Sequence, residues 1–391
     1  MFHVKHYRKH IELLNLPCYN IDSLWKVQNE LSIIGACFAP QIGFLCSRRG
    51  SYKTIQASSV PCTRLYRRKV TILNQKKRFF LGFFVLGTIA LAMYVFNRLI
   101  HFFSLKNHLL SSKEGLFYQW RFGSIFYTKK GQGRPLLLIH DLTPFSSGHE
   151  WHLLENQLAK TNIVYTLDLL GCGRSDKPPI TYTSFLYVQL LTDFLRNVVG
   201  ESAQILGTGS SSNFIIEACH YDNTFIDSTI LINPKSLHAF APSSSKRNKP
   251  LRQLLALPLL GTFVYNLSIN RNTLTRLLKE IYFCDSNKVT DLLIKTYTES
   301  SQLNKTEGKF LYACMISKLT NSNLFHSLTK TNTPLHIISS QEIPSNLDIA
   351  KEYQEALPSI ELITLEKSNY LPQLETPEEL LEQLKRLLHG S

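Results

Sequence analysis

No two of the eight cysteines stand as a C-x-x-C pair. Cys18, Cys37, Cys46 and Cys62 come early, and Cys172, Cys219, Cys284 and Cys314 are scattered later. Neither a zinc site nor a disulfide framework is indicated by that spacing. A nucleotide-binding glycine loop is also lacking. Gly207-Thr208-Gly209 starts one, but no third glycine follows where the phosphates would need it. Acidic residues are scarce at the N-terminus, with 3 Asp+Glu against 14 Lys+Arg in residues 1–78. From 79 onward the counts are 26 and 29. The body of the chain is therefore close to neutral, which argues against nucleic-acid binding by the main domain. No metal and no cofactor is expected.

Charge is wholly missing from residues 79–96, FFLGFFVLGTIALAMYVF. Eighteen uncharged, mostly apolar residues are about the minimum for a helix that crosses a bilayer. A buried core helix usually keeps a polar face, and this run has none. The expectation is one transmembrane helix over 79–103. Lys76, Lys77 and Arg78 abut its start, while Arg98 is the first charge beyond it. The positive-inside rule then puts the N-terminus in the cytoplasm and the large domain outside, in a single-pass cell-membrane protein. A cleaved signal peptide is the alternative, with Ala90-Leu91-Ala92 as its cleavage site. Residues 1–78 read as a basic tail, without clear periodicity over 1–70, and with 31–46 as one further apolar stretch interrupted by Pro40. A coding start nearer Val70 is the alternative for that segment.

After the anchor the pattern alternates. Residues 116–122 and 124–128 read as a hairpin turning at Gly123. Apolar runs at 136–139, 163–167, 203–206, 229–232, 335–339 and 360–365 suit strands buried on both faces. Helices are expected at 151–159, 184–199 with Thr183 as a cap, 211–220, 347–356 and 378–388. Alternation of this kind predicts an α/β fold with a doubly wound, mostly parallel sheet over 115–388. Residues 236–330 interrupt it with helical stretches at 251–260, 271–282, 288–296 and 309–319. A helical cap over the sheet's C-terminal edge is the expectation, because ligands bind there in open α/β sheets.

The run 168–178, DLLGCGRSDKP, fills every position of D-x-x-G-x-G-x-S-x-x-P. This resembles the turn after the fourth strand in the α/β-hydrolase fold family. Ile139-His140 is similar to the dipeptide before that family's oxyanion loop, and 371–379, LPQLETPEE, is similar to the segment after its catalytic histidine. The resemblance is to capped hydrolases of the epoxide-hydrolase, haloperoxidase and carbon–carbon-bond hydrolase type. It implies a nucleophile–histidine–acid triad, with ester, amide, epoxide or carbon–carbon hydrolysis as the chemistry.

The triad positions hold other residues. The family's G-x-S-x-G elbow aligns with Gly207-Thr208-Gly209-Ser210-Ser211, which puts Gly209 at the nucleophile position. Glycine takes the strained positive φ of that turn without cost. A shift by one residue offers Ser210 as nucleophile, whereas helix capping is the ordinary role for Ser210 and Ser211. Tyr370 stands at the histidine position, and a phenol does not readily accept a serine proton near neutral pH. Ile343 stands at the acid position; Glu342, one residue away, is either a substitute acid or, in the ordinary explanation, an exposed loop glutamate. Asp141 replaces a glycine in the oxyanion loop, where a carboxylate opposes a developing oxyanion. The expected ligand pocket gathers His140, Asp141, Leu142, Thr208, Gly209, Ser210, Glu342 and Tyr370. Three functions follow. One is a membrane-anchored, catalytically degenerate member that binds a small apolar ligand or an envelope protein. The second is an active serine hydrolase using Ser210 with a non-standard base. The third is an anchored structural domain with a collapsed cleft.

Overall fold

A computed structural model describes residues 62–111, 114–240, 248–342 and 344–389. The stretch 1–61, with the apolar run 31–46, lies outside the described residues, as does Ile343. The chain divides into two units, Met1–Tyr94 and Val95–Ser391.

In the first unit the described chain is helical. Helix α1, Cys62–Leu105, contains the charge-free run and reaches into the second unit. It begins inside the basic segment, so that segment is helical from Cys62 on. The portion Gln75–Leu105 is long and apolar enough to cross a membrane, and its most apolar window is not covered by protein. That exposure separates it from a core helix, whose apolar residues would be packed.

The second unit is built on an eight-stranded sheet in the order β1-β2-β4-β3-β5-β6-β7-β8. The strands are β1 Leu116–Trp120, β2 Gly123–Gly131, β3 Arg134–Ile139, β4 Asn162–Leu167, β5 Ala203–Thr208, β6 Ile226–Ile232, β7 Leu335–Ser340 and β8 Glu361–Leu365. Strands β1 and β2 form the antiparallel hairpin turning at Gly123, and β2 also pairs antiparallel with β4. All other pairings are parallel. Leu136, Leu137, Leu138 and Ile139 are fully buried, as a strand covered on both faces requires.

Between the strands lie α2 Ser184–Phe194 and α3 Ser212–Tyr221. Thr183 caps α2 by accepting from the Leu186 amide. The cap holds α4 Asn248–Ala256, α5 Pro258–Ser268, α6 Arg271–Leu277, α7 Asp291–Gln302 and α8 Lys309–Ile316. The single helix expected at 251–260 is two helices. Pro258 cannot donate into a continuing helix, and it occupies the first turn of α5 instead. Helix α9, Leu324–Lys330, was not foreseen from the sequence. Helices α10 Pro344–Ala356 and α11 Pro377–His389 complete the body. Leu380, Leu384 and Leu387 recur at helical spacing on α11 and pack against Leu138, Leu206, Ile230 and Ile338. Replacing Leu384 with alanine removes about 2–5 kcal/mol of such packing.

The order reverses at β3, which has β4 on one side and β5 on the other. That is the switch point where the chain ends diverge and leave a crevice. Ile139 pairs with Gly207, and Thr208 with Ile232. Register alone therefore brings the loop starting at His140 beside Gly209. Ser340 pairs with Leu365 at the same edge, where the loops that follow β6, β7 and β8 emerge.

Candidate functional site

Gly209 follows β5 at φ +56°, and Ser210 does not share that left-handed conformation. The left-handed position of this turn is therefore held by the glycine. A Cβ built on Gly209 would lie 1.9 Å from Tyr370 Oη and 2.8 Å from Asp141 Oδ1. Any side chain here would collide with the phenol and with the carboxylate.

Asp141 is fully buried. Its Oδ1 accepts the Ser210 amide at 2.7 Å, and its Oδ2 accepts the Tyr370 hydroxyl at 3.2 Å. The Ser210 amide is the donor that follows the elbow residue, the position from which a hydrolase of this fold stabilises an oxyanion. In this chain a carboxylate of the protein itself takes it. Tyr370 also packs on Tyr282 of the cap, with ring centroids 4.8 Å apart.

His140 is buried and committed to the backbone. Its Nδ1 lies 2.7 Å from the Asp141 carbonyl, a pure acceptor, and its Nε2 takes the Leu169 amide at 3.0 Å. The ring is therefore neutral with the proton on Nδ1. Burial, the largest influence, holds its pKa below the ordinary value. With Nε2 already accepting, it has no lone pair left for a serine proton.

Ser210 and Ser211 do not cap the helix, contrary to the ordinary role expected of them. Ser211 Oγ donates to the His140 carbonyl at 2.5 Å. Ser210 Oγ is buried with no hydrogen-bond partner, so no imidazole or carboxylate activates it. Glu342 stands exposed in the turn after β7 and does not belong to the buried cluster. Solvent offers a carboxylate at a loop tip better hydration than the crevice does. Leu142 and Thr208 are buried beside the elbow, Thr208 Oγ1 donating to the Ile139 carbonyl at 3.5 Å.

Several residues of the site were not singled out from the sequence. Glu150 is buried, accepting the Asp141 amide at 3.2 Å and the Tyr297 hydroxyl at 3.1 Å. Burial first, and the charge of Asp141 second, push its pKa up to about 8. Asn233 adopts φ +44° at the end of β6. Its side chain donates to Ser340 Oγ and to the Asn369 and Tyr370 carbonyls, at 3.0, 2.8 and 3.2 Å. Glu375 accepts the Asn369 amide at 2.8 Å and the Cys284 and Asp285 amides at 2.7 Å. These two residues fix the loop that carries Tyr370, and Glu375 ties it to the cap. An asparagine closing a strand is the signal that could have marked Asn233. Glu150 has no local pattern of its own.

The turn at 168–178 is a separate construction. Asp168 accepts the Gly148 and Arg174 amides at 2.6 and 2.7 Å, and Arg174 Nε at 2.7 Å. Ser175 Oγ donates to the Asp168 carbonyl and accepts the Phe126 amide. A Cβ on Gly173, at φ +48°, would lie 2.3 Å from Asp168 Oδ2. This turn joins β2, β4 and the oxyanion-side loop.

The sequence pattern of the Alpha/beta hydrolase family matches residues 136–383. Similar solved structures include a bromoperoxidase from Bacillus anthracis, 16% identical, covering 70% of this chain and 99% of that one, TM-score 0.56. A meta-cleavage product hydrolase from Pseudomonas fluorescens is 19% identical over 71% of this chain and 98% of that one, TM-score 0.58. A bacterial membrane phospholipase A is 17% identical over 80% and 98%, TM-score 0.56. At these identities the likeness is one of fold. Uncharacterized proteins of Mycobacterium tuberculosis and Mycobacterium bovis are 29% identical over 103 residues, 26% of this chain. The chain matches only 30% of the length of those relatives. The family match spans well over half of this chain, and the chain belongs to the Alpha/beta hydrolase family.

Proposed function

We propose that this is a membrane-anchored, catalytically degenerate α/β hydrolase that binds a small apolar ligand or an envelope protein instead of turning over a substrate. The observation that carries the reading is the occupation of the old reaction centre. Tyr370 Oη fills the space a nucleophile's side chain would need, and Asp141 occupies the oxyanion donor. A substrate carbonyl would have to displace a buried carboxylate from a 2.7 Å hydrogen bond and then develop negative charge next to it. Loss of triad groups acting as a unit already removes most of the catalysis. Recognition then falls to the outer face of Tyr370 under the cap and to the surface. The anchor and the basic residues before it support a single-pass protein with the folded domain outside the cytoplasm.

The active-hydrolase reading rests on one observation, the buried and unpartnered hydroxyl of Ser210. A fluorophosphonate probe on the full-length protein in detergent separates the two. No labelling is expected. Stoichiometric labelling that disappears in Ser210→Ala would overturn the degenerate reading.

A further inference from the structure

The end of the charge-free run is clamped by the cap. Phe96, its last residue, meets Phe263 of α5 edge-on with centroids 5.2 Å apart. Asn97, the next residue, is buried. Its Nδ2 donates to the Leu259 carbonyl at 3.2 Å, and its Oδ1 accepts from Asn266 Nδ2 at 2.9 Å. Asn266 in turn accepts from Gln302 Nε2, and Gln302 accepts from Thr306. An amide in the last turns of an apolar helix is costly to bury alone, and this chain of amides satisfies it.

Helix α5 is itself fixed to the neighbouring cap helices by its other face. Tyr265 is buried and donates to the Ser301 carbonyl, and Lys309 Nζ donates to the Leu257 carbonyl and to Thr262. The face left over carries Leu260, Phe263 and Leu267 at i, i+3 and i+7, one stripe of a helix. Leu257 at the α4–α5 corner is 47% exposed and Leu267 40%. On the adjoining turns of α1, Leu99 and Phe102 are 49% and 64% exposed. Exposed apolar side chains therefore stand on both helices that meet at Phe96 and Asn97, and soluble proteins avoid gathering such groups.

From these contacts we infer that α5 lies in the bilayer surface, its Leu257–Leu260–Phe263–Leu267 edge sunk among lipid headgroups and acyl ends. The inference rests on the reading of α1 as a membrane span. Eighteen helical residues rise about 27 Å, close to the roughly 30 Å of a hydrocarbon core. If 79–96 fill that core, the hydrocarbon boundary passes at Phe96 and Asn97, the residues α5 touches. Covalent continuity with the span thus selects lipid, rather than another protein, as the occupant. The cap would then be held against the membrane on two supports, and an apolar ligand could pass between bilayer and cap without crossing water.

The test uses full-length protein in phosphatidylcholine–phosphatidylglycerol vesicles. A photo-crosslinking benzoyl-phenylalanine replaces Leu86, Leu267 or Phe325 in turn, and lipid adducts are read by mass spectrometry. Phe325 is an exposed apolar residue of the body, at 58%. Adducts at Leu86 and Leu267, with at least tenfold fewer at Phe325, are expected. Adducts at Leu86 alone would overturn the inference and leave the anchor standing. Equal adducts at Leu267 and Phe325 would overturn it as well, since contact would then be unspecific. No adduct at Leu86 would remove the anchor itself, and the inference with it.

Discussion

Two buried acidic centres sit in loops leaving the same sheet, and they are solved in opposite ways. At the turn after β4, Asp168 meets a cation, the Arg174 guanidinium, together with two backbone amides. Burial alone would raise its pKa, but Arg174 outweighs burial and the net shift is downward. At the elbow, Asp141 and Glu150 are equally buried, and no salt bridge reaches either one among the described residues. Amide and phenol groups serve as their partners, and Glu150 is pushed up to about 8. The first centre is a charged rivet that the fold needs. The second is a plug without a cation, in the crevice where the fold usually keeps its chemistry. Scaffold and reaction centre have therefore been maintained by different physical demands.

The rivet should be the costlier to break. Asp168→Ala leaves the Arg174 guanidinium, with its side chain 16% exposed, without its counter-charge. A loss of about 3–5 kcal/mol is expected in denaturant unfolding of the detergent-solubilised protein. The sign in pH follows from the lowered folded pKa. Stability from Asp168 is present above its unfolded pKa and is lost as pH falls through the folded value. Next in size is the plug. Gly209→Ala sets a methyl against Tyr370 and forces a positive φ on alanine, for about 1–3 kcal/mol. Combining it with Tyr370→Ala should cost less than the two singles summed, by about 1 kcal/mol or more in a double-mutant cycle. Full additivity would mean that Tyr370 does not fill the nucleophile's space.

The same contrast explains what could be read from the sequence. The turn at 168–178 is legible because every contact Asp168 makes through its own turn lies within eleven residues and needs fixed residue types. The sheet was legible because apolar strands alternate with helices, and Gly209 because local alignment places it. Glu342 is the exposed loop residue of its ordinary reading and not a pocket residue, because sequence adjacency to the acid position says nothing of which way a loop residue turns. Glu150 and Asn233 were missed for a related reason. Their partners lie on other elements: Glu150 is met by Tyr297 from the cap, and Asn233 by the loop after β8. Pro258 shows the local limit, since an apolar stretch through it reads as one helix until backbone donors are counted.

A pH-dependent effect tests the electrostatic half of the contrast. Glu150 has its folded pKa raised from 4.5 to about 8. Its contribution is fully present below the unfolded pKa and is lost as pH rises toward the folded one. Between about pH 5 and 8 it should lower stability by up to about 1.4 kcal/mol per pH unit. Glu150→Gln should flatten that slope, and unfolding midpoints followed across this range check it. An unchanged slope would mean that Glu150 is ionised in the folded protein.

The smallest effect compares neighbours. Ser211→Ala removes a buried hydrogen bond to the His140 carbonyl and should cost about 1 kcal/mol. Ser210→Ala removes a buried hydroxyl that has no partner, so stability should stay within about 0.5 kcal/mol of the parent or rise slightly. Both substitutions delete one oxygen at the same turn, so backbone propensity largely cancels between them. A larger loss for Ser210→Ala than for Ser211→Ala would show that the Ser210 hydroxyl is engaged after all. The plug at Tyr370 and Asp141 would then leave a working group beside it, and the balance would move toward a hydrolase with an unusual base.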